Sequence, residues 1–184
     1  MHFSHLVVIP GEGDIDRLVE EAMKPTQNKE WDWYQIGGRW TGTLDGYDPE
    51  EDPANIETCK LCNGTGKRPD ADKFEAENPG WIEQTGGCNG CQGKGKRVKW
   101  PTDFPRHDGD IISIESLSET VYPKKFHAVV FPDGSYYSHE SYDWLPWEES
   151  LDKQLVNREK PMPPLDWLKR EYVSHRVVVV DAHN

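Results

Sequence analysis

No stretch of this chain approaches the roughly 18 consecutive apolar residues that a membrane-spanning helix needs. Hydrophobic residues make up only 35% of its 184 positions. The opening Met1-His2-Phe3-Ser4-His5 lacks the positive charge and apolar run of a secretory signal. These absences predict a soluble, intracellular protein with no membrane contact. Basic residues are also scarce, 21 against 33 acidic ones, for a net charge of −12. A surface that is acidic overall repels phosphate, which argues against nucleic-acid binding by the molecule as a whole. Familiar catalytic patterns are missing too. There is no H-E-x-x-H, no G-x-S-x-G and no phosphate-binding P-loop. The length suits one domain, or one domain carrying a small inserted module.

What is present begins with cysteine. The chain has four, and all fall in two copies of one pattern, Cys59-Lys60-Leu61-Cys62-Asn63-Gly64-Thr65-Gly66 and Cys88-Asn89-Gly90-Cys91-Gln92-Gly93-Lys94-Gly95. Two C-x-x-C hooks supply four thiolates, the ligand set of a closed tetrahedral zinc site. The expected metal ligands are therefore Cys59, Cys62, Cys88 and Cys91, holding one structural Zn2+. Such a site stabilises a fold but leaves no position open for water or substrate. A redox pair would want its C-x-x-C opening a helix after a strand, and here glycine-rich turns follow both hooks. Structural disulfides would need an oxidising compartment. The 25 residues between the hooks form a closable loop, because closure entropy grows only logarithmically with length.

Charge is unevenly placed. Residues 59–99 carry eight basic and five acidic side chains, so this segment is +3 while the remainder is −15. Lys67, Arg68, Lys94, Lys96 and Arg97 could touch nucleic-acid phosphates. The competing reading is a solvated surface that neutralises thiolate charge, and neither hook contains an aromatic residue to stack on a base.

The pattern along the rest of the chain predicts an α+β fold. Residues 3–9 read as a buried strand closed by Pro10-Gly11. Asp14 caps a helix that carries Ile15, Leu18, Val19 and Ala22 on one face and stops before Pro25. Residues 30–44 read as a β-hairpin turning at Gly37-Gly38, with Trp31, Trp33, Trp40 and Leu44 on one face. Residues 126–131 and 135–138 flank a Pro132-Asp133-Gly134 turn. Helices are expected over 147–156, where Leu151 and Leu155 are four apart, and over 164–172. Residues 176–180, nearly all valine, read as a central strand covered on both faces. The order strand, helix, insertion, strand, strand, helix, strand matches a ferredoxin-like split βαβ sandwich. The body comprises 1–56 and 100–184, interrupted by the hairpin and by a cysteine module at 57–99.

The repeated C-x-x-C-x-G-x-G resembles the cysteine-rich zinc domain of DnaJ-type cochaperones, over about 40 residues. Four such repeats form two zinc sites in that family; the two here imply one. No His-Pro-Asp tripeptide of a J-domain exists in this chain, so the resemblance implies the zinc geometry alone. A second likeness is carried by Trp33-Tyr34-x-Ile36-Gly37-Gly38-Arg39-Trp40-x-Gly42 and by the valine-rich end with Asp181-x-His183. These resemble segments of small uncharacterised proteins encoded by tailed bacteriophages. The likeness implies an early or accessory phage protein acting in the cytoplasm of an infected bacterium.

Two further sites are candidates. Trp33, Tyr34, Arg39 and Trp40 could bind a nucleotide or another flat anionic ligand, aromatic faces and one guanidinium being suited to it. The alternative is that the tryptophans form core. Histidine with carboxylate is the raw material of acid–base chemistry, and His5, His175, Asp181 and His183 are the candidates for a phosphoesterase-like centre. The reading favoured by the sequence is a non-enzymatic, zinc-stabilised phage accessory protein. It would bind and modulate a basic or nucleic-acid-binding host protein, with counter-defence as one such role and ligand sequestration as the alternative.

Overall fold

The computed structural model describes residues 1–138 and 162–184. The strands are β1 (His2–Pro10), β2 (Trp33–Ile36), β3 (Ile56–Thr58), β4 (Lys96–Val98), β5 (Ile111–Ser113), β6 (Ala128–Val130), β7 (Tyr136–Ser138) and β8 (His175–His183). The helices are α1 (Ile15–Met23), α2 (Ala71–Glu77), α3 (Trp81–Thr85) and α4 (Leu165–Glu171). The helix expected over 147–156 lies outside the described residues. The chain divides into two compact units, Met1–Tyr47 with Arg106–Asn184, and Asp48–Pro105. The second contains the cysteine segment together with the acidic stretch before it.

The first unit is an α+β fold built on a sheet of order β2-β8-β1-β6-β7, with β5 also paired to β8. Its centre is the antiparallel pair β1 and β8, in register from His2↔His183 to Pro10↔His175. Both strands carry continuous apolar runs because both of their faces are covered. Leu6, Val8, Val177 and Val179 enter one core with Ile114, Tyr122, Phe131 and Leu168 of α4. Val7, Ile9, Val178 and Val180 enter the other with Val19, Ala22 and Met23 of α1. Each fully buried side chain of this size contributes about 2 kcal/mol. Asp14 caps α1 as expected, its Oδ1 accepting the Arg17 N–H at 2.9 Å.

Two expectations need correction. A split βαβ unit places an antiparallel strand between its two parallel ones, whereas β1 and β6 here are direct parallel neighbours, His5 opposite Ala128. The Pro132-Asp133-Gly134 turn is too tight to carry β7 anywhere but the free outer edge of β6. β7 therefore pairs there, with Val129 opposite Tyr137.

The hairpin at 30–44 does not form either. β2 instead pairs with β8, from Trp33↔His183 to Ile36↔Val180. Gly37 and Gly38, at φ 72° and 57°, turn the chain out of the sheet into a single 3-10 turn, Gly38–Trp40. Two buried carboxylates stabilise this corner. Asp181 Oδ2 accepts the Arg39 N–H at 3.1 Å. Asp110 accepts the Gly42 N–H at 2.7 Å and the Thr41 hydroxyl. A Cβ on Gly38 would lie 2.7 Å from that of Asp181, so glycine is required there. The tryptophans separate as a result. Trp31 packs in the α1-side core, Trp40 and Leu44 pack against the opposite one, and Trp33 is 40% exposed.

His5 is fully buried beside β6 and β7, its Nε2 3.2 Å from the Tyr136 hydroxyl. Burial, with a smaller contribution from the charge of His127, lowers its pKa to about 3. The unfolded chain protonates this imidazole below about 6.5, and the folded chain does not until about 3. Stability should therefore fall as pH drops from 6.5 towards 3. Chemical denaturation across that range should show a shallower loss in His5→Leu than in the parent. A second expected loss is Tyr122→Phe. This leaves the Pro163 carbonyl without the buried hydroxyl that donates to it at 2.6 Å, and should lower the unfolding free energy by about 1–2 kcal/mol.

Candidate metal centre

The Asp48–Pro105 unit has almost no apolar core. Its buried cluster is the four cysteines themselves. A short ribbon brackets them, β3 and β4 pairing antiparallel with Glu57 opposite Arg97. The Cys59 N–H donates to the Gly95 carbonyl at 2.9 Å, tying the first hook to the end of the second.

The two hooks repeat one backbone. Asn63 and Gln92 occupy equivalent positions and share a φ of 51°, and the glycines that follow each of them are also left-handed. The final glycines cross. A Cβ on Gly66 would overlap the Gly93 carbonyl, and one on Gly95 would overlap that of Gly64. The spacing C-x-x-C-x-G-x-G is thus a packing requirement, each hook's last glycine closing against the other hook.

This arrangement converges four sulfurs. Cys59 Sγ and Cys88 Sγ are 3.8 Å apart, Cys62 Sγ and Cys91 Sγ 3.7 Å apart, and all four lie within 4.8 Å of one another. A tetrahedron of sulfurs about 2.3 Å from a central ion has edges of about 3.8 Å, whereas a disulfide requires about 2.05 Å. The cluster therefore fits a metal ion and is not an array of disulfides. Four thiolates form a soft donor set, which selects zinc, iron or copper(I) over hard cations. No coordination position remains for substrate.

Backbone amides share the charge of the sulfurs, as the Gly95 N–H does at 3.2 Å from Cys91 Sγ. Burial raises the Cys62 thiol, but hydrogen bonds from the Gly66 and Gly64 amides and from the neighbouring thiols outweigh it, and the net shift is downward. Cys91 moves upward, chiefly through burial, with its neighbours' thiols adding to the rise. A cation placed among the four would reverse that second shift by favouring the thiolate.

The basic residues around the hooks are partly committed. Lys67 is paired with Asp72 at 2.8 Å, Arg68 with Asp70 at 2.8 Å, and Arg97 with Glu57 at 2.7 Å. The whole unit carries eight basic against eleven acidic residues, a net charge of −3, so the positive charge of 59–99 is offset within the unit. Aromatic residues outside the hooks also belong to it. Phe74 of α2 stacks on Trp81 of α3 with ring centroids 5.1 Å apart, and the Arg68 guanidinium lies 4.7 Å from the Phe74 centroid. Only a pairing of these two short helices brings the rings together, and no sequence spacing announced it.

The other predicted residues are dispersed. Trp33 and Tyr34 line a cleft of about 290 Å³ with Trp31, Asp32, Glu20, Lys24 and Gln27, whereas Arg39 and Trp40 are absent from its lining. His5 is buried in the sheet, and His175 is at the far end of β8 from His183, about 26 Å along a strand of that length. The four residues His5, His175, Asp181 and His183 therefore do not form one cleft. Asp181 and His183 do lie together, joined by His2, which sequence reasoning overlooked. Only the register of β1 on β8 reveals it.

No protein-family model, curated protein or solved structure matches this chain. Among the described residues, no helix is long and apolar enough to cross a membrane.

Replacing Cys88 with serine should abolish stoichiometric metal uptake and expose 48–105 to proteolysis, while amides of β1 and β8 stay protected from exchange. Metal analysis with limited proteolysis reads both effects. Because thiols must lose protons to bind metal, the affinity should fall steeply on acidification.

Proposed function

We propose that this protein is a non-enzymatic, zinc-stabilised accessory protein of the tailed-phage type, whose acidic body binds a basic or nucleic-acid-binding host protein in the cytoplasm of an infected bacterium. The observation that carries this reading is the closed thiolate cluster. Its four sulfurs are buried and lie within 4.8 Å of one another, which supports a structural metal with no position left for substrate. Zinc is the soft, redox-inert ion that commonly fills such a site. The repeated backbone of the two hooks is in keeping with the likeness to the zinc domain of DnaJ-type cochaperones.

Charge supports the choice of partner. The unit formed by Met1–Tyr47 and Arg106–Asn184 carries 13 basic against 22 acidic residues, a net charge of −9. Such a surface steers basic partners and occupies sites that they otherwise offer to nucleic acid. Zinc-loaded protein immobilised in bacterial lysate should retain a basic protein in stoichiometric amount, and increasing salt should release it. Retention of nothing stoichiometric, or of a partner indifferent to salt, would count against this function.

A further inference from the structure

The geometry points to a seat for one arginine side chain of a basic polypeptide, formed by Glu20, Trp31, Asp32 and Tyr34 in the cleft of about 290 Å³ between α1 and β2. This inference deepens the function proposed above and takes from it the source of the arginine. The cleft's choice of cation is measurable without that partner.

The floor of the cleft is aromatic and already fixed in place. The Trp31 indole N–H donates to the Met23 carbonyl at 3.2 Å and to the Thr26 hydroxyl at 3.0 Å, which ties the ring to the end of α1. The Asn28 N–H closes the intervening loop onto the Trp31 carbonyl at 2.7 Å. The Tyr34 ring stands at 88° to that of Trp31, with centroids 5.0 Å apart. Pairing of β2 with β8 holds Tyr34 opposite Ala182. Trp31 is buried and Tyr34 only partly so, which leaves Tyr34 as the more open aromatic surface. Side chains held in this way lose little freedom when a ligand arrives.

The charge around these rings is negative and incompletely neutralised. Glu20 lines the cleft from α1, and its carboxylate has no ion pair or hydrogen bond among the described residues. Lys24 lies four positions further on and lines the same cleft. That spacing ordinarily supports an ion pair on a helix, yet none joins the two here. Asp32 adds a second carboxylate, its Oδ1 2.8 Å from His183 Nδ1. Two acids thus face one base. The field reaches the ring as well: burial first, then the charges of Glu20 and Asp16, raise the pKa of the Tyr34 hydroxyl. An aromatic surface beside carboxylates attracts a cation and repels an anion.

The chemistry of the lining selects which cation. The metal-ligating group found among the described residues is the cysteine cluster, so the carboxylates here do not form an ion site of that kind. An organic cation fits better. A guanidinium is planar and weakly hydrated, stacks on an aromatic ring and carries five donors, so it can reach Glu20 and Asp32 while lying against Tyr34. An ammonium is a compact, strongly hydrated point charge that serves such a lining less well. The volume is at the lower end of the range for ligand pockets, which suits one side chain in preference to a larger molecule.

The test is an NMR titration of the metal-loaded full chain with N-acetyl-arginine methylamide, and with its lysine and citrulline counterparts. The arginine probe should shift the Trp31 indole and Tyr34 amide signals saturably at millimolar concentration. The lysine probe should bind more weakly, and citrulline, of the same shape without charge, should leave these signals in place. Glu20→Gln, an exposed substitution, should weaken the arginine probe about fivefold, the worth of an exposed ion pair. Glu115→Gln removes the same charge on the other face of the sheet and should have no effect. Lys24→Gln should strengthen binding, since it removes the cation that competes for the cleft. Citrulline binding equal to arginine, no saturable shift at Trp31 and Tyr34, or a Glu20→Gln variant that binds arginine normally would each overturn the inference. Arginine binding in the cleft with no basic partner in lysate would contradict the proposed function alone. A basic partner held equally well by Glu20→Gln and parent protein would contradict this seat alone.

Discussion

The pairing of the first strand with the last is the constraint on which the α+β unit depends. β1 and β8 run side by side over nine residue pairs; β2 and β5 pair with β8, β6 pairs with β1, and β7 extends the sheet beyond β6. Both are apolar on both faces, so neither can be satisfied until helices cover the sheet from above and below. α1 supplies one cover, and α4 with the turn around Ile114 supplies part of the other. The same pairing gathers polar groups at its end. Where the apolar runs stop, His2, Asp181 and His183 emerge next to one another, and the corner of 37–42 folds onto them.

Stability in the Asp48–Pro105 unit has a different origin. Three-residue strands and two short helices bury little apolar area, and the one buried cluster is made of thiols. Small units of this kind depend on a cross-link or a metal, and structural zinc contributes on the order of 10 kcal/mol. Crossing glycines bring the hooks close enough for the sulfurs to converge, and amide donors moderate the charge that accumulates there. Architecture and chemistry meet in one buried cluster of four sulfurs that could hold a metal ion.

Much of this was legible before any coordinates. The runs Leu6–Ile9 and Val177–Val180 signal strands buried on both faces, because only such strands dispense with polar alternation. Asp14 ahead of an amphipathic run signals a capped helix, and the cysteine spacing signals convergent ligands. The corner at Gly37-Gly38 was not legible as one. An aromatic run on each side of two glycines is also the pattern of a hairpin, and what decides between them is a pair of carboxylates, Asp110 and Asp181, far away in the chain. The strand partner of Trp33–Ile36 was hidden for the same reason, being the chain's last strand. His2 carries no local signal at all, since its partners are 179 and 181 positions away. Long-range register is the information a single sequence withholds.

X-ray absorption at the zinc edge of protein purified without added metal tests the central claim most directly. The account predicts one zinc per chain with four sulfur neighbours at about 2.3 Å and no oxygen or nitrogen in the coordination sphere. A light-atom ligand in that sphere, or protein that is folded over 48–105 with its cysteines intact and no metal bound, would contradict it.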